Sequence, residues 1–413
     1  MTRNVCLVSL AIAGFLAGCS KPEPGPSATP ASSPTPAGTA TPPPQAAPPA
    51  AQQAPPAAPA ATATAPTDPN AEYDKAAALA AAGKIADARA LFETAARQDP
   101  RDRSLAIAAQ MFRDMDEGRL SADVVQRIFR ALEHANAARW TEAYADADEA
   151  ARLAPTYGNA HDTRGKLLVA QGKYGEALAV YSRILEMDPK SADAYYNRGA
   201  IYAETRRHDA AIADYNRAIE LDPSFSEAYR NRGSAQTFKN DGQAALADYA
   251  KAHELNPRAP EPLYLRGVLL ALLGNWKEAE ADFTRAIERD AEYAEAYYDR
   301  GVAFQNLKND DRAFADFTKA IELNPANPAA LINRGLIQAG RKQYDLATAD
   351  YDKAIAANPT MIVAYYNKGF ALDQQGRAKE AVASYQAFLR KAGAEHAALA
   401  ARARERIAVL GKM

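Results

Sequence analysis

The sequence predicts an all-α solenoid in which successive helix hairpins stack side by side, and a strict 34-residue repeat is the main evidence. An alanine follows each repeated glycine by twelve residues, and an aromatic residue follows it by sixteen. Because residues three or four apart share a helical face, this pattern indicates two amphipathic helices per repeat. The repeated glycines are Gly165, Gly199, Gly233, Gly267, Gly301, Gly335 and Gly369.

Within the repeat 192–225, Gly199 belongs to the first predicted helix, and Ala211 and Tyr215 belong to the second. A glycine inside a helix costs about 1 kcal/mol relative to alanine, so its recurrence requires a tertiary compensation. Close approach of the two helix backbones provides one, with Tyr215 filling the space beside the contact. Pro223 then ends the second helix.

These residues resemble the tetratricopeptide repeat family, whose unit has small residues at places 8, 20 and 27 and proline at place 32. We number places 1–34 within each unit, starting at residue 158. Seven contiguous units cover 158–395, weaker copies occupy 71–157, and a capping helix with a tail is expected over 396–413. The segment 103–123 breaks the phase, although it is helical in character. The resemblance implies a right-handed superhelix whose first helices line a concave groove.

The first residues are typical of an export signal. Arg3 precedes an apolar stretch too short to span a bilayer, so we predict a signal peptide over 1–18. The residues before Cys19 resemble a bacterial lipobox, which implies that Cys19 becomes the acylated N-terminus of the mature protein. An ordinary signal peptide with a chance cysteine is the alternative. Ser20 favours the outer membrane, facing the periplasm, whereas Lys21 leaves the inner membrane open.

The segment 19–70 has the composition of a spacer. It contains 16 of the 26 prolines, and its other residues are mostly small or polar. Such a stretch has too little apolar surface to build a core, so we predict a disordered tether with polyproline character. The tether would let the folded part reach partners away from a membrane.

Composition argues against several classes of function. Lys+Arg 49 and Asp+Glu 51 nearly balance, which disfavours generic nucleic-acid binding. Both cysteines lie in the first 19 residues, so we expect no disulfide framework in the folded part. The five histidines lack metal-ligand spacing, and no nucleophile or phosphate-loop motif occurs. We therefore expect neither catalytic residues nor a metal, a cofactor or a small-molecule substrate.

A cation stands before each repeated glycine, and aspartates recur just before the aromatic residue of the second helix. An arginine–aspartate ladder along the solenoid is one interpretation, and an anion-binding stripe is the other. The cations are Arg164, Arg198, Arg232, Arg266, Arg300, Arg334 and Lys368, and the aspartates are Asp214, Asp248, Asp282, Asp316 and Asp350.

Places 2, 5, 6, 9, 12 and 13 should point into the groove, and place 6 repeatedly holds asparagine. A carboxamide offers both a donor and an acceptor, which matches a peptide backbone. The pattern is similar to the asparagine ladder of O-linked N-acetylglucosamine transferases, which holds extended peptides, but Thr163, Leu265 and Asp299 interrupt it. The alternative is that the amides bond within or between repeats. The candidates are Asn197, Asn231, Asn333 and Asn367.

Place 5 adds candidate groove residues, which are Tyr196, Tyr264, Tyr298, Tyr366 and Arg230. The tyrosines could form an aromatic stripe for a ligand or pack between neighbouring repeats. Place 2 holds carboxylates that could prefer a basic ligand or could stabilise their own helix dipole. These acids are Asp193, Glu227, Glu261 and Glu295.

The expected function is a membrane-anchored, non-enzymatic adaptor that binds extended peptide segments of other envelope proteins. Resemblance to known repeat lipoproteins suggests a scaffold for peptidoglycan hydrolases, or a pilotin-type factor for a pilus or secretion system. A non-catalytic partner of a glycosyl-transfer or polysaccharide-export machine is a further alternative.

Overall fold

The structure is a computed structural model that describes residues 69–411, and its elements there are helices joined by short turns. The predicted signal peptide, Cys19 and the tether up to residue 68 lie outside the described residues. In chain order the helices are α1 (Pro69–Ala81), α2 (Ile85–Gln98), α3 (Arg103–Asp116), α4 (Ala122–Asn136), α5 (Trp140–Leu153), α6 (Gly158–Ala170), α7 (Tyr174–Met187), α8 (Ala192–Glu204), α9 (His208–Leu221), α10 (Ser226–Phe238), α11 (Gly242–Leu255), α12 (Glu261–Leu272), α13 (Trp276–Arg289), α14 (Ala294–Asn306), α15 (Asp310–Leu323), α16 (Pro328–Gly340), α17 (Tyr344–Ala357), α18 (Ile362–Gln374), α19 (Ala378–Lys391) and α20 (Ala397–Leu410), with a 3₁₀ turn at Ala394–His396.

The helices from α6 to α19 form seven antiparallel hairpins, one for each 34-residue unit, and every hairpin packs on the next. First helices of successive units touch each other more extensively than second helices do. The stack therefore curves towards the first helices, which places them on its concave side. The predicted all-α solenoid is confirmed.

The repeated glycines lie where the two helices of each hairpin meet. A Cβ atom built on any of the seven would come within 2.6 to 3.0 Å of the aromatic ring at place 24. The aromatic ring occupies the volume that a side chain at place 8 would need. Glycine is thus a packing residue here, and the helix-propensity cost is offset by ring burial.

The turn inside each hairpin uses a left-handed residue at place 15. Gly172, Gly274 and Gly376 have φ values of 69°, 82° and 72° there, while Arg206 and Asn240 adopt 59° and 61° without being glycine. Lys308 and Lys342 do the same in their units. Because glycine occupies only some of these places, the turn is poorly marked in the sequence.

The N-terminal region departs from this regularity at α3. The hairpin α1–α2 packs on α4, and α3 fits between them with a core that includes Phe92, Phe112 and Phe129. The ring centroids of Phe92 and Phe129 are 5.2 Å apart. The helix expected around Leu105 to Met115 is present, but it lies outside the hairpin pattern.

The helix α20 covers the last hairpin. Ala400, Ala403 and Leu410 are buried against α19, beside Phe388. Arg406 donates two hydrogen bonds to Asp373, at 2.7 and 2.9 Å. An apolar face towards the stack and an arginine at its edge are the features expected of a capping helix.

Candidate peptide-binding groove

The first helices present places 2, 5, 6, 9, 12 and 13 towards the concave side, and we call this surface the groove. Places 5 and 6 lie deepest, at the junction between units. Place 2 lies nearer to solvent, and so does place 9 in the C-terminal units, whereas Ser234 and Val268 at place 9 are buried. The structure therefore separates the predicted groove residues into a buried set and an exposed set.

Places 5 and 6 bond across the unit boundary. Asn231 Nδ2 donates to Tyr196 Oη at 3.0 Å, and Tyr264 Oη donates to Asp299 Oδ2 at 2.8 Å. Asn197 Nδ2 donates to Asp162 Oδ1 at 3.0 Å in the same way. Tyr298 and Asn333 also lie close together across a unit boundary. Asn197 and Asn231 therefore form hydrogen bonds between adjacent units.

Asn367 is the exception among these asparagines. Its place-5 counterpart in the preceding unit is Ile332, which offers no hydrogen bond. In the described part of the chain, its Nδ2 atom is buried without a partner. The bonds between units match one of the two interpretations of the asparagines, and a grip on a peptide backbone by them stays a prediction.

The place-5 tyrosines pack against the ring at place 24 of their own unit. The ring centroids of Tyr196 and Tyr215 are 6.0 Å apart, and those of Tyr366 and Tyr385 are 5.6 Å apart. Tyr264 is only 3% exposed. Burial raises the pKa of the Tyr264 hydroxyl well above its ordinary value. These tyrosines, Tyr298 included, thus contribute packing, with only part of their surface left for a ligand.

Arg230 occupies place 5 in the third regular unit and is 7% exposed. Its Nε atom donates to Asn231 Oδ1 at 3.3 Å. The next unit has Leu265 at place 6, so the hydrogen bond from place 5 to place 6 is not formed at this junction, as at the junction of Ile332 with Asn367. Arg230 therefore belongs to the buried set.

The place-7 arginines pair with the place-23 aspartates of their own units. Five pairs are bidentate, with nitrogen–oxygen distances of 2.7 to 2.8 Å. Arg232 Nη1 also reaches back to Asn216 of the preceding unit at 2.7 Å. Hydrogen bonds to Asp248 raise the pKa of the Arg232 guanidinium. The arginine–aspartate ladder is confirmed.

Large apolar side chains are exposed along place 9 in the C-terminal half of the groove. Leu336 is 43% exposed and Phe370 is 42% exposed, and Val302 precedes them at the same place. The place-2 carboxylates Glu227 and Glu261 run nearer the N-terminal half. Sequence reasoning missed the apolar stripe, although its signal, an apolar residue every 34 positions from Val268 on, was present.

The N-terminal end of the groove is covered by the chain itself. Ile107 and Met111 of α3 face the groove residues Leu132 of α4 and Thr163 and Lys166 of α6 across a narrow cavity. Tyr157 also donates a hydrogen bond to Asp114 of α3, at 2.9 Å. The helix α3 thus lies over the first units, and the turn before it reaches Arg258, which is 3.8 Å from Asp99. Among residues 69–411, no further helix packs over the concave face of the units beyond.

Arg103, the first residue of α3, reaches into the unit 192–225. Its Nε atom donates to Asp193 Oδ1 at 2.7 Å, and its Nη1 atom donates to Asp222. The guanidinium carbon lies 3.7 Å from the ring centroid of Phe225. A groove carboxylate, a turn carboxylate and an aromatic ring together hold this side chain.

Sequence models of the tetratricopeptide repeat match residues 163–225, 230–290 and 311–362, and further models of the same repeat match 294–327 and 362–390. The chain belongs to the tetratricopeptide repeat family. Members of this family bind other proteins or peptides, so the chain is a protein-interaction repeat protein. Among curated proteins, none matches this sequence.

Solved structures include similar repeat proteins. The chain is 26% identical to YrrB, described as a TPR protein with an unusual peptide-binding site, over 46% of this chain and 97% of that one, with a TM-score of 0.40. It is 28% identical to MamA over 40% and 91% of the two chains, with a TM-score of 0.38. PilF of Pseudomonas aeruginosa is 19% identical over 51% and 97%, with a TM-score of 0.46.

Residues 69–411 contain no group of three histidine, cysteine or acidic side chains arranged to hold a metal ion. In the same part of the chain, no helix combines the length and the apolar character needed to cross a bilayer.

Proposed function

We propose that this chain is an adaptor that binds an extended segment of another envelope protein in the open part of the groove, from α10 to α18. The observation that carries the proposal is the exposed apolar stripe at place 9, with Leu336 and Phe370 on adjacent first helices. Exposed leucine and phenylalanine side chains in a concave surface favour association, because their burial removes apolar area from water.

The charge of the groove favours a ligand with basic residues. Glu227, Glu261 and Glu295 follow one another at place 2, while the arginines of place 7 are already paired with aspartates. The exposed groove charge in these units is therefore negative. An extended segment with alternating apolar and basic side chains complements both features.

We further propose that acylated Cys19 anchors the protein in the outer membrane, facing the periplasm. The motif before Cys19 and the composition of the tether support this proposal. In intact cells, a Cys19→Ser variant should escape lipidation and leave the membrane fraction, and globomycin should block processing of the wild-type chain. Unchanged membrane fractionation of the variant would contradict the anchor.

Site-specific photo-crosslinking tests the groove. A photoreactive phenylalanine replacing Leu336 should crosslink to an extended segment of a partner protein, identified by mass spectrometry. The matched control replaces Leu346, which is 55% exposed on the second helix α17. Crosslinks from position 346 that equal those from position 336 would contradict binding in the groove.

A paired substitution gives an independent measurement. Replacing Leu336 and Phe370 together by aspartate should reduce partner capture by the full-length chain at least tenfold, because burial of two apolar side chains contributes about 3 kcal/mol. Leu346→Asp should capture partners as the wild type does. Thermal unfolding of each variant shows whether the fold is retained.

A further inference from the structure

The three side chains that hold Arg103 all belong to one repeat unit. Because the units repeat, other units can carry residues of the same types at the same places. We define this arginine socket by its three side chains, which are the carboxylate at place 2, the aspartate at place 31 and the aromatic ring at place 34. In the unit 192–225 these are Asp193, Asp222 and Phe225.

The same combination occurs in the unit 260–293, two units further along the groove. Glu261 stands at place 2, Asp290 at place 31 and Tyr293 at place 34. The unit between them has Asn256 and Ala259 at places 31 and 34, so it lacks both the second carboxylate and the ring. Two of the seven regular units therefore carry the full socket.

The backbone geometry of the two sockets agrees closely. Asp222 ends α9 with φ −137° and ψ 91°, and Asp290 ends α13 with φ −138° and ψ 101°. Phe225 and Tyr293 begin the following first helices with φ −75° in both cases and ψ 81° and 83°. The ring and the turn carboxylate are thus attached to nearly identical backbones.

The side chains agree as well. Phe225 packs on Tyr196 with ring centroids 4.7 Å apart and planes at 37°, and Tyr293 packs on Tyr264 at 4.8 Å and 41°. Oδ1 of Asp222 accepts the Ser224 amide at 3.0 Å, and Oδ1 of Asp290 accepts the Glu292 amide at 2.9 Å. In the first socket this leaves Oδ2 for the guanidinium.

The second socket differs in having no ion-paired occupant among residues 69–411. Neither Glu261 nor Asp290 forms an ion pair with any cation of residues 69–411. Arg289, the neighbouring cation, donates instead to the Pro257 carbonyl oxygen at 2.9 Å. Phe225 is 3% exposed beneath Arg103, whereas Tyr293 remains partly exposed. Within residues 69–411 the two carboxylates have no ion-paired cation, although the positive charge of Arg230 acts on the Tyr293 hydroxyl from the preceding unit.

We propose that the socket formed by Glu261, Asp290 and Tyr293 binds an arginine side chain of the protein segment that enters the groove. The inference rests on the proposed peptide-binding function and adds the residue type that the ligand must carry. A planar guanidinium can bond to two carboxylates while stacking on a ring, as Arg103 does, whereas an ammonium group lacks that shape. Glu261 is one methylene longer than Asp193, and its charge acts on the Tyr293 hydroxyl.

The test uses the full-length chain and a labelled nine-residue peptide with one central arginine among alanines and serines. Lysine and citrulline versions of the peptide are the comparison ligands, and fluorescence polarisation measures affinity. We expect the arginine peptide to bind at least tenfold more tightly than the citrulline peptide. The variant Glu261→Gln/Asp290→Asn should lose at least tenfold of that affinity.

Three matched variants separate the socket from general charge effects. Glu186→Gln/Glu322→Gln removes two exposed carboxylates of second helices, outside the groove, and it should change affinity less than twofold. Tyr293→Phe should bind as the wild type does, while Tyr293→Ala should weaken binding severalfold. Thermal unfolding midpoints establish that each variant is folded.

Equal affinity for arginine and citrulline peptides, or an equal loss in Glu186→Gln/Glu322→Gln, would overturn the inference. Concentration-dependent self-association abolished by Glu261→Gln/Asp290→Asn would also overturn it, because a second copy would then be the occupant. If crosslinks from position 336 persist in any of these cases, the groove function stands and only the socket fails.

Discussion

Similar helix hairpins build the regular stack, residues 158–391, and the N-terminal region, residues 69–157. The two regions differ in whether an additional helix lies over the concave side. In the regular stack the turn after each second helix leads directly into the next first helix. In the N-terminal region α3 intervenes between the hairpins and lies over the concave side of α4 and α6. The extent of the open groove is therefore decided by one inserted helix rather than by the number of units.

Two buried carboxylates, one in each region, differ in their partners. Asp114 in α3 is 6% exposed and Asp299 in α14 is 8% exposed, so both are removed from water. Burial opposes ionisation of Asp114, but hydrogen bonds from Arg119, Gln110 and Tyr157 hold its pKa below the ordinary value. Burial raises the pKa of Asp299 to about 7, although a hydrogen bond from Tyr264 opposes the shift. Since both carboxylates are similarly buried, their hydrogen-bond partners determine whether each one is ionised.

The largest expected effect is on the pH dependence of stability. Because the folded pKa of Asp299 lies above its unfolded value, its contribution is complete below pH 4 and is lost as pH rises towards about 7. The free energy of unfolding of α14 and its neighbours should fall by roughly 1.4 kcal/mol per pH unit in that window. Hydrogen exchange of the α14 amides across this range measures the slope.

Asp299→Asn is the control for this prediction. Asparagine occupies place 6 in other units, keeps the bond to Tyr264 and cannot ionise, so the slope should vanish in α14. Asp114 has a lowered pKa and contributes stability that is lost only as pH falls below the unfolded value, so α3 should weaken in acid. A slope that persists in Asp299→Asn would assign the titration to another group.

The second prediction compares a ladder pair in each region. Arg232→Met leaves Asp248, with 8% of its side chain exposed, without its bidentate partner, and the expected loss is about 3 kcal/mol. Arg130→Met removes the equivalent partner of Asp146 in the N-terminal region. Arg127 still lies 3.3 Å from Asp146, so the expected loss there is about 1 kcal/mol. Urea unfolding measures both losses.

A double-mutant cycle sharpens this prediction. Replacing Arg232 and Asp248 together should cost less than the sum of the single losses, because the pair disappears as a unit. Additive losses would show that Arg232 and Asp248 have no interaction energy, so their pairing would not contribute to stability.

The third prediction concerns the contact between paired helices. The regular units combine a glycine with an aromatic ring, whereas the unit 124–157 has Ala131 and Ala147 at these two places, both fully buried. A Cβ atom at position 335 would lie 2.6 Å from Tyr351, so Gly335→Ala should cost about 2 kcal/mol through overpacking. The unfolding free energy in urea tests this value.

Gly340 is the matched control, since it lies in the same helix and a Cβ atom there meets nothing within 4 Å. Gly340→Ala should be neutral or stabilising by up to about 1 kcal/mol. Equal losses at the two positions would mean that helix termini, and not the ring contact, respond to the substitution.

Some features of the two regions could be predicted from the sequence, and others could not. The hairpins, the glycine–aromatic contact and the pairing of Arg232 with Asp248 follow from residues that recur at a fixed interval. The position of α3 does not, because it depends on contacts between segments that share no repeat, such as Arg103 with Asp222. The second socket could not be predicted for a related reason. Only the contacts of Arg103 in the first socket show that places 2, 31 and 34 together surround a guanidinium group.

The smallest expected effect concerns Arg103, whose ion pairs connect the N-terminal region to the regular stack. Arg103 is half-buried, and its ion pairs with Asp193 and Asp222 are partly exposed, so Arg103→Ala should cost only about 1 kcal/mol globally. Its local effect should be clearer, because α3 then loses its ion pairs with the unit 192–225 and keeps its other contacts, such as that of Phe112 with Phe92 and that of Asp114 with Tyr157. Amide exchange should accelerate in α3 and remain unchanged in α4. Arg113→Ala, on the exposed side of α3, should leave exchange as in the wild type. Identical protection of α3 in both variants would show that its contacts other than Arg103 are sufficient to keep it over the groove.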